Sequence, residues 1–150
     1  MSAKRLLGVD YGSVRIGLAV SDPDRKFAFP HSTYERRSPE HDSAHFHALI
    51  AEEAITGIVL GLPVHLSGRE GQKAAEARTF GAWLTQTTGL PVVYWDERFT
   101  TVQAESSLWE AGLSHKKRKT RRDRVAAQIL LQSYLDAGCP ENPVAGPLDG

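Results

Sequence analysis

The chain has 150 residues, of which 41% are hydrophobic and 24% are charged. This length suits one domain, and this composition suits a packed core rather than a disordered chain. No apolar run approaches the roughly 18 residues that a membrane-spanning helix needs, so we expect no membrane segment. The single cysteine, Cys139, cannot form a disulfide within the chain, which favours a reducing, cytoplasmic setting.

The net charge of zero hides an uneven distribution of charge. The stretch from His115 to Arg124 has seven of the 18 basic residues and one of the 18 acidic residues, so the rest of the chain is acidic. Such a stretch attracts phosphate backbones over a Debye length of about 10 Å, although it also fits a solvated run of like charges. The side chains that we assign to nucleic-acid binding are Lys116, Lys117, Arg118, Lys119, Arg121 and Arg122.

Three strands are predicted at the start of the chain. Residues 5–11 and 15–20 are mostly apolar and are separated by a short glycine-containing loop, which is typical of a hairpin. Residues 27–34 form a weaker third strand. Pro30 favours an edge position for this strand, because proline cannot donate a backbone hydrogen bond to a sheet.

The middle of the chain alternates between helix and strand. Ser38, which precedes a proline, is typical of a helix start, and this helix should run to about Ala54 with Gly57 near its end. The continuous apolar run at 57–62 indicates a buried strand. Small and apolar residues recur at helical spacing over 70–87, which predicts a second helix.

The last third of the chain contains one more strand, at 91–95, and two helices. A capping box opens a helix over 100–110. The basic residues of 112–119 are expected to form a mobile connection, and the final helix should cover 120–137.

The order β-β-β-α-β-α-β-α-α predicts an α/β fold with a mixed five-stranded sheet flanked by helices. We expect a single domain over residues 1–138. Residues 139–150 are rich in proline and glycine and should form a flexible C-terminal tail.

Three acidic residues occupy positions that packing explains poorly. Asp10 ends the first strand, where aspartate is disfavoured, and alternation puts it on the same face as Gly8 and Leu6. Glu97 follows the last strand, at the carboxyl edge where open α/β sheets place their sites. Asp123 lies in line with the apolar stripe of the final helix, which comprises Ala126, Ala127, Leu130 and Tyr134. We expect these three carboxylates to converge.

Converging carboxylates repel one another and require a cation. Oxygen ligands suit Mg²⁺ or Mn²⁺, and two such ions about 3.5–4 Å apart would activate water for attack on a phosphodiester. Each acid alone also has a structural explanation. Asp10 and Asp123 could cap a turn and a helix, and Glu97 could pair with Arg98. The basic stretch beside Asp123 favours the joint interpretation.

Five segments of the sequence resemble the YqgF (RuvX) family and follow the family's order. They are Gly8-Val9-Asp10-Tyr11-Gly12, Arg15-Ile16-Gly17-Leu18-Ala19-Val20-Ser21-Asp22, Gly61-Leu62-Pro63 with Gly68, Asp96-Glu97-Arg98 with Thr100-Thr101, and Asp123 with Ala126-Ala127-Gln128-Ile129-Leu130. The resemblance extends to about Gly138. The sequence departs from it at Arg122, where the family usually has an apolar residue.

This resemblance implies an RNase H-like fold and a nuclease that processes the 5′ end of pre-16S ribosomal RNA in ribosome biogenesis. It implies that Asp10, Glu97 and Asp123 are the catalytic residues and hold Mg²⁺ or Mn²⁺. Precursor rRNA or branched DNA would then be the partner. The sequence leaves open whether the protein is a monomer or a homodimer.

Several alternatives stay open at the level of sequence. Arg15 and Arg98 either bind substrate phosphate or pair with nearby acids. The substrate could be a Holliday junction, or the chain could be a module that binds rRNA without cutting it. Residues 10–13 also resemble the phosphate-binding hairpin of actin-like ATPases and sugar kinases. Those proteins, however, clamp their nucleotide between two such domains, and this chain supplies one.

Overall fold

The computed structural model describes residues 4–99 and 115–141. Its strands are β1 Arg5–Asp10, β2 Arg15–Ser21, β3 Ala28–Glu35, β4 Ile55–Leu62 and β5 Val92–Asp96. They form one mixed sheet in the order β3-β2-β1-β4-β5. The pairs β3–β2 and β2–β1 are antiparallel, whereas β1–β4 and β4–β5 are parallel. The predicted mixed five-stranded sheet and the edge position of β3 are thereby confirmed.

The helices are α1 Pro39–Glu53, α2 Gln72–Thr88 and α3 His115–Asp136, and a single 3₁₀ turn covers Glu97–Phe99. Within the described ranges, no helix combines the length and the apolar character needed to span a bilayer. The helix predicted over 100–110 lies outside the described residues. Most of the predicted C-terminal tail, from residue 142 onward, also lies outside them.

The predicted start of α1 is confirmed, and the predicted role of Gly57 is wrong. The Ser38 hydroxyl accepts a hydrogen bond from the backbone N–H of His41 at 3.2 Å. The helix ends at Ala54, which adopts the left-handed conformation with φ of 53° and donates its N–H to Ile50. Gly57 instead lies inside β4, opposite Leu6 of β1.

The predicted mobile connection is also wrong for residues 115–119, because α3 already begins at His115. Lysine and arginine are good helix formers, so a run of like charge does not prevent a well-anchored helix from continuing through it. Thr120, the predicted first residue of the helix, instead lies in its second turn. Its hydroxyl donates to the carbonyl of Lys117, and its own carbonyl accepts from the Thr33 hydroxyl.

The sheet has two covered faces, and strand alternation decides which residues go to each. Leu7, Val9, Ile16 and Leu18 belong to a core with α1 and α2. Leu6 and Ala19 instead belong to a core with α3, whose buried residues are Ala127, Leu130, Leu131, Tyr134 and Leu135. Ala127, Leu130 and Tyr134 of the predicted apolar stripe therefore pack against the sheet, whereas Ala126 is half-buried and lies outside this core.

Helix α3 lies unusually close to the sheet because glycines stand beneath it. A Cβ atom built on Gly17 would lie 1.9 Å from the Asp123 carbonyl oxygen, and one built on Gly8 would lie 2.8 Å from the Leu131 Cβ. The sheet contacts α3 main chain directly at Gly17. This contact fixes the height of Asp123 above the paired residues Gly17 and Asp10.

We predict that Gly17→Ala destabilises the fold by about 1–3 kcal/mol, because the methyl group meets backbone that can move only with α3. Gly57→Ala is the matched control, since its Cβ would come closest to the end of the Leu6 side chain, at 3.0 Å, and would meet Pro91 only at ordinary contact distances of 3.9 and 4.0 Å. We expect that control to change stability by less than about 1 kcal/mol. Urea denaturation measures both free energies of unfolding, and equal values would contradict the close contact.

Candidate functional site

The candidate functional site lies at the edge of the sheet where β1, β4 and β5 end. These three strands run in the same direction, so their carboxyl ends meet at one edge. Asp10 is the last residue of β1, and Glu97 comes directly after β5. The sequence placed both acids at strand ends, and the topology brings those ends together.

Both acids lie on the α3 side of the sheet. Asp10 continues the alternation of Leu6, which packs against α3, and Glu97 continues that of Trp95. Gly61 lies between them on β4, where a Cβ atom would approach the Cγ and Cδ atoms of Glu97 to 3.2 Å. The absent side chain at Gly61 therefore makes room for the Glu97 carboxyl group.

The carboxyl groups of Asp10 and Glu97 form a hydrogen-bonded pair. The pKa of Asp10 is raised from 3.8 to about 8 by burial, then by the negative charges of Glu97 and Asp123, and by its hydrogen bond to Glu97. Burial also raises the pKa of Glu97, while the hydrogen bond from Asp10 and the charge of Lys73 oppose that rise. Burial and the neighbouring negative charges thus favour the protonated form of the Asp10 carboxyl.

Asp123 completes the set of predicted acids, but its carboxylate binds Arg15. The Arg15 Nε atom lies 2.9 Å from Asp123 Oδ2. Asp123 is close enough to Asp10 for its charge to raise the pKa of that residue. Among the described residues, no group of three or more His, Cys, Asp or Glu side chains is arranged to hold a metal ion. The carboxylates are therefore neighbours, and their role as metal ligands stays a prediction.

Arg98 lies in the wall of the cleft beside Glu97, and its guanidinium is held by contacts within the protein. Its Nε donates to the Asp96 carboxylate at 2.7 Å, and its Nη1 donates to the carbonyl of Leu66 at 3.2 Å. Only 3% of the Arg98 side chain is exposed, and Asp96 is fully buried. Arg98 thus forms the ion pair that the sequence offered as one alternative, and its assignment to nucleic-acid binding stays a prediction. Its contacts tie the loop after β4 to the strand end that bears Glu97.

The basic residues predicted to bind nucleic acid lie on the first turns of α3. Lys117, Lys119, Arg121 and Arg122 are exposed, whereas the side chains of Lys116 and Arg118 lie outside the described part of the structure. Asp123 follows directly on the same helix. The basic surface and the acidic site are therefore adjacent.

Asp42 is a buried acid that the sequence analysis missed. It is 1% exposed, and its carboxylate accepts from the Tyr34 hydroxyl at 2.7 Å and from the backbone N–H of Arg37 at 2.9 Å. Arg36 lies 3.4 Å from the same carboxylate and donates through Nη1 to the Tyr11 hydroxyl at 2.8 Å. This chain of contacts reaches the residue after Asp10. The helical spacing of Asp42 from Phe46 and Leu49 could have predicted its burial, because all three lie on the buried face of α1.

A cleft of about 1180 Å³ opens beside the acidic pair, and Glu97 lies in its wall. The turn after β1, the loop after β4 and the first turn of α2 form the rest of the cleft, through residues that include Tyr11, Ser13, His65 and Lys73. The cleft is large enough for several atoms of a polymer backbone beside the carboxylates.

Residues 4–137 match the sequence model of the family described as "RuvX: Holliday junction resolvase". The chain belongs to the RuvX family. A relative from Rhodopirellula baltica named "Putative pre-16S rRNA nuclease" is 46% identical over 95% of this chain and 82% of its own length. A relative of the same name from Syntrophomonas wolfei is 42% identical over 89% of this chain and 95% of its own length. The RuvX match covers both described ranges almost completely.

Two solved structures of proteins bound to Holliday junctions have a fold similar to that of this chain. T. thermophilus RuvC in complex with a Holliday junction substrate matches 93% of this chain and 99% of its own, with a TM-score of 0.55 and 13% identity. The Fowlpox virus resolvase with its junction substrate matches 91% of this chain and 99% of its own, with a TM-score of 0.54 and 12% identity. At these identities the likeness concerns the fold alone, and it confirms the predicted RNase H-like architecture.

Proposed function

We propose that this RuvX-family protein is a metal-dependent nuclease that hydrolyses phosphodiester bonds, with the 5′ region of pre-16S rRNA as its substrate. The observation that carries the proposal is the half-buried Asp10–Glu97 carboxyl pair beside a third acid, at the carboxyl edge of the sheet. The names of the relatives with 42–46% identity support the choice of RNA.

The donor chemistry of the site suits a hard divalent cation. Two carboxyl groups held close together inside the protein must share a proton or a cation, and Asp123 adds a third negative charge. Carboxylate oxygens favour Mg²⁺ or Mn²⁺ over softer metals. Asp10, Glu97 and Asp123 would hold the ion, which when bound polarises the phosphodiester and lowers the pKa of attacking water.

The first turns of α3 would bind the nucleic-acid backbone. Basic side chains in the first turn of a helix oppose the helix dipole, and Lys117 lies in that turn of α3. Lys119, Arg121 and Arg122 continue the exposed basic stretch over the next turn. A phosphate ligand would benefit from both the dipole and these side chains. We therefore propose that these residues hold the backbone while the acidic site faces the scissile bond.

A four-way DNA junction is the second candidate substrate. It is favoured by the description of the matched family model and by the fold shared with junction resolvases. Basic residues bind phosphate and do not distinguish the two substrates. The homodimer and the cytoplasmic location stay predictions.

Cleavage of defined substrates tests the function. We expect the protein to cut a 5′-extended 16S precursor RNA with Mg²⁺ or Mn²⁺ and not with EDTA. Asp10→Asn should lower the rate by more than about a hundredfold, because even changes outside the ligand set of a metal site typically cost about 10–100-fold. Asp24→Asn is the matched control, since Asp24 lies exposed in the turn between β2 and β3 and should leave the rate unchanged.

The outcomes of this assay separate the candidates. Cutting of a four-way DNA junction but not of precursor RNA would favour the resolvase. Retained binding of either substrate without cleavage under any metal condition would favour a binding module. Wild-type cleavage by Asp10→Asn, in a preparation free of contaminating nuclease, would remove Asp10 from the catalytic site.

The salt dependence of binding tests the basic turns of α3. The double variant Lys119→Gln and Arg122→Gln should flatten the plot of log affinity against log salt by about 0.7–0.9 log units per lost phosphate contact. The double variant Arg5→Gln and Lys26→Gln removes the same charge at the opposite end of the sheet and should keep the wild-type slope. Equal slopes for all three proteins would show that α3 does not contact the backbone.

A further inference from the structure

The Arg15–Asp123 ion pair joins distant parts of the chain at the acidic site. Arg15 is the first residue of β2, and Asp123 lies on α3. The Arg15 Nε atom donates to Asp123 Oδ2 at 2.9 Å, with the two side chains 31% and 23% exposed. Gly17, on the same face of β2, lets the backbone at Asp123 sit directly against the strand. The pair is therefore fixed in place by its backbone and accessible to solvent at its side chains.

This ion pair competes with a metal ion for Asp123. A carboxylate oxygen that binds a guanidinium is less available to a cation, and the charge of Arg15 repels a cation nearby. This arrangement agrees with the lack of a three-residue metal group among the described residues.

Arg15 also has unused hydrogen-bonding capacity toward an anion. A guanidinium has five N–H donors in a fixed planar fork. Within residues 4–99 and 115–141, its Nε has a protein hydrogen-bond partner and its two terminal nitrogens have none. A phosphodiester can occupy two such donors at once, which makes it a strong competitor for a partly exposed carboxylate.

We propose that Arg15 is a positioning residue that exchanges Asp123 for a substrate phosphodiester, and that Asp123 is released to the metal site only then. The proposal rests on the proposed metal-dependent function. Arg15 thus couples metal binding to phosphate binding, and the free protein holds its metal weakly. By contrast, an ion pair that only anchors α3 to β2 would affect stability and leave metal affinity unchanged.

Binding of Mn²⁺ alone, measured by the electron paramagnetic resonance signal of free Mn²⁺, tests the first half of the exchange. Arg15→Gln should bind Mn²⁺ about threefold to tenfold more tightly than the wild type, because Asp123 is no longer engaged. Arg5→Gln is the matched control. Arg5 also pairs with an acid, Glu53, at 3.4 Å and has similar exposure, but it lies at the other end of β1. This control should keep the wild-type affinity.

Dimethyl phosphate, which carries one phosphodiester charge, tests the second half. It should tighten Mn²⁺ binding to the wild type and to Arg5→Gln relative to NaCl of equal ionic strength. Arg15→Gln should not respond, since it lacks the group that the phosphodiester engages. Thermal melting of each variant verifies that the fold is intact, and Arg15→Lys, which keeps the charge without the fork, should lie between wild type and Arg15→Gln.

The outcomes separate the exchange from the proposed function. Mn²⁺ binding that requires Asp10 but is equal in wild type, Arg15→Gln and Arg5→Gln overturns the exchange and leaves the metal site standing. Weaker Mn²⁺ binding by Arg15→Gln overturns it as well. No Mn²⁺ binding that depends on Asp10 in any variant, with or without dimethyl phosphate, overturns the metal site and the exchange together.

Discussion

The contact between the carboxyl groups of Asp10 and Glu97 is the constraint on which the site depends. Two carboxylates do not stay adjacent inside a protein unless a proton or a cation lies between them. The surrounding fold holds them together through the parallel strands β1, β4 and β5, whose carboxyl ends meet at one edge. Burial of apolar side chains between the sheet and the helices on its two faces stabilises the fold that holds the two carboxyl groups together.

Several features of the structure hold the Asp10 and Glu97 carboxyl groups in position. Gly17 and Gly61 omit side chains where Asp123 and Glu97 approach the sheet. The buried Asp96–Arg98 pair stands on either side of Glu97 in sequence and ties the strand end to the loop after β4. Asp42 on α1 pairs with Arg36, and Arg36 donates a hydrogen bond to the hydroxyl of Tyr11, the residue after Asp10. The site is thus supported by contacts from both sides of the sheet.

The sequence was sufficient for the parts of the fold that follow from local pattern. Alternation assigned Asp10 to its face, and the helical spacing of Ala127, Leu130 and Tyr134 assigned Asp123 to the sheet side of α3. The start of α3 was mispredicted, because charge density was taken as a sign of a loop although lysine and arginine favour helix.

Contacts between residues that are far apart in the chain could not be predicted from the sequence. Nothing local distinguishes an arginine that will meet Asp123 at a separation of 108 residues from one that faces solvent. The partner of Arg98 was equally hard to predict. Asp96 is only two residues away, but the two side chains pair because the fold buries both of them. The burial of Asp42 could have been predicted from its spacing with Phe46 and Leu49, and was missed because an acid in a first helical turn has an ordinary explanation.

The most direct test of the account is a titration of the Asp10 carboxyl group itself. Carbon-13 labelling of aspartate side chains, in EDTA, allows each carboxyl to be followed by nuclear magnetic resonance, and the spectrum of Asp10→Asn assigns the signal. The account predicts a midpoint near the raised pKa of about 8, because the group is buried beside Glu97 and Asp123. A midpoint near the ordinary value of 3.8 would show that the carboxyl groups do not converge, and would contradict the site as described.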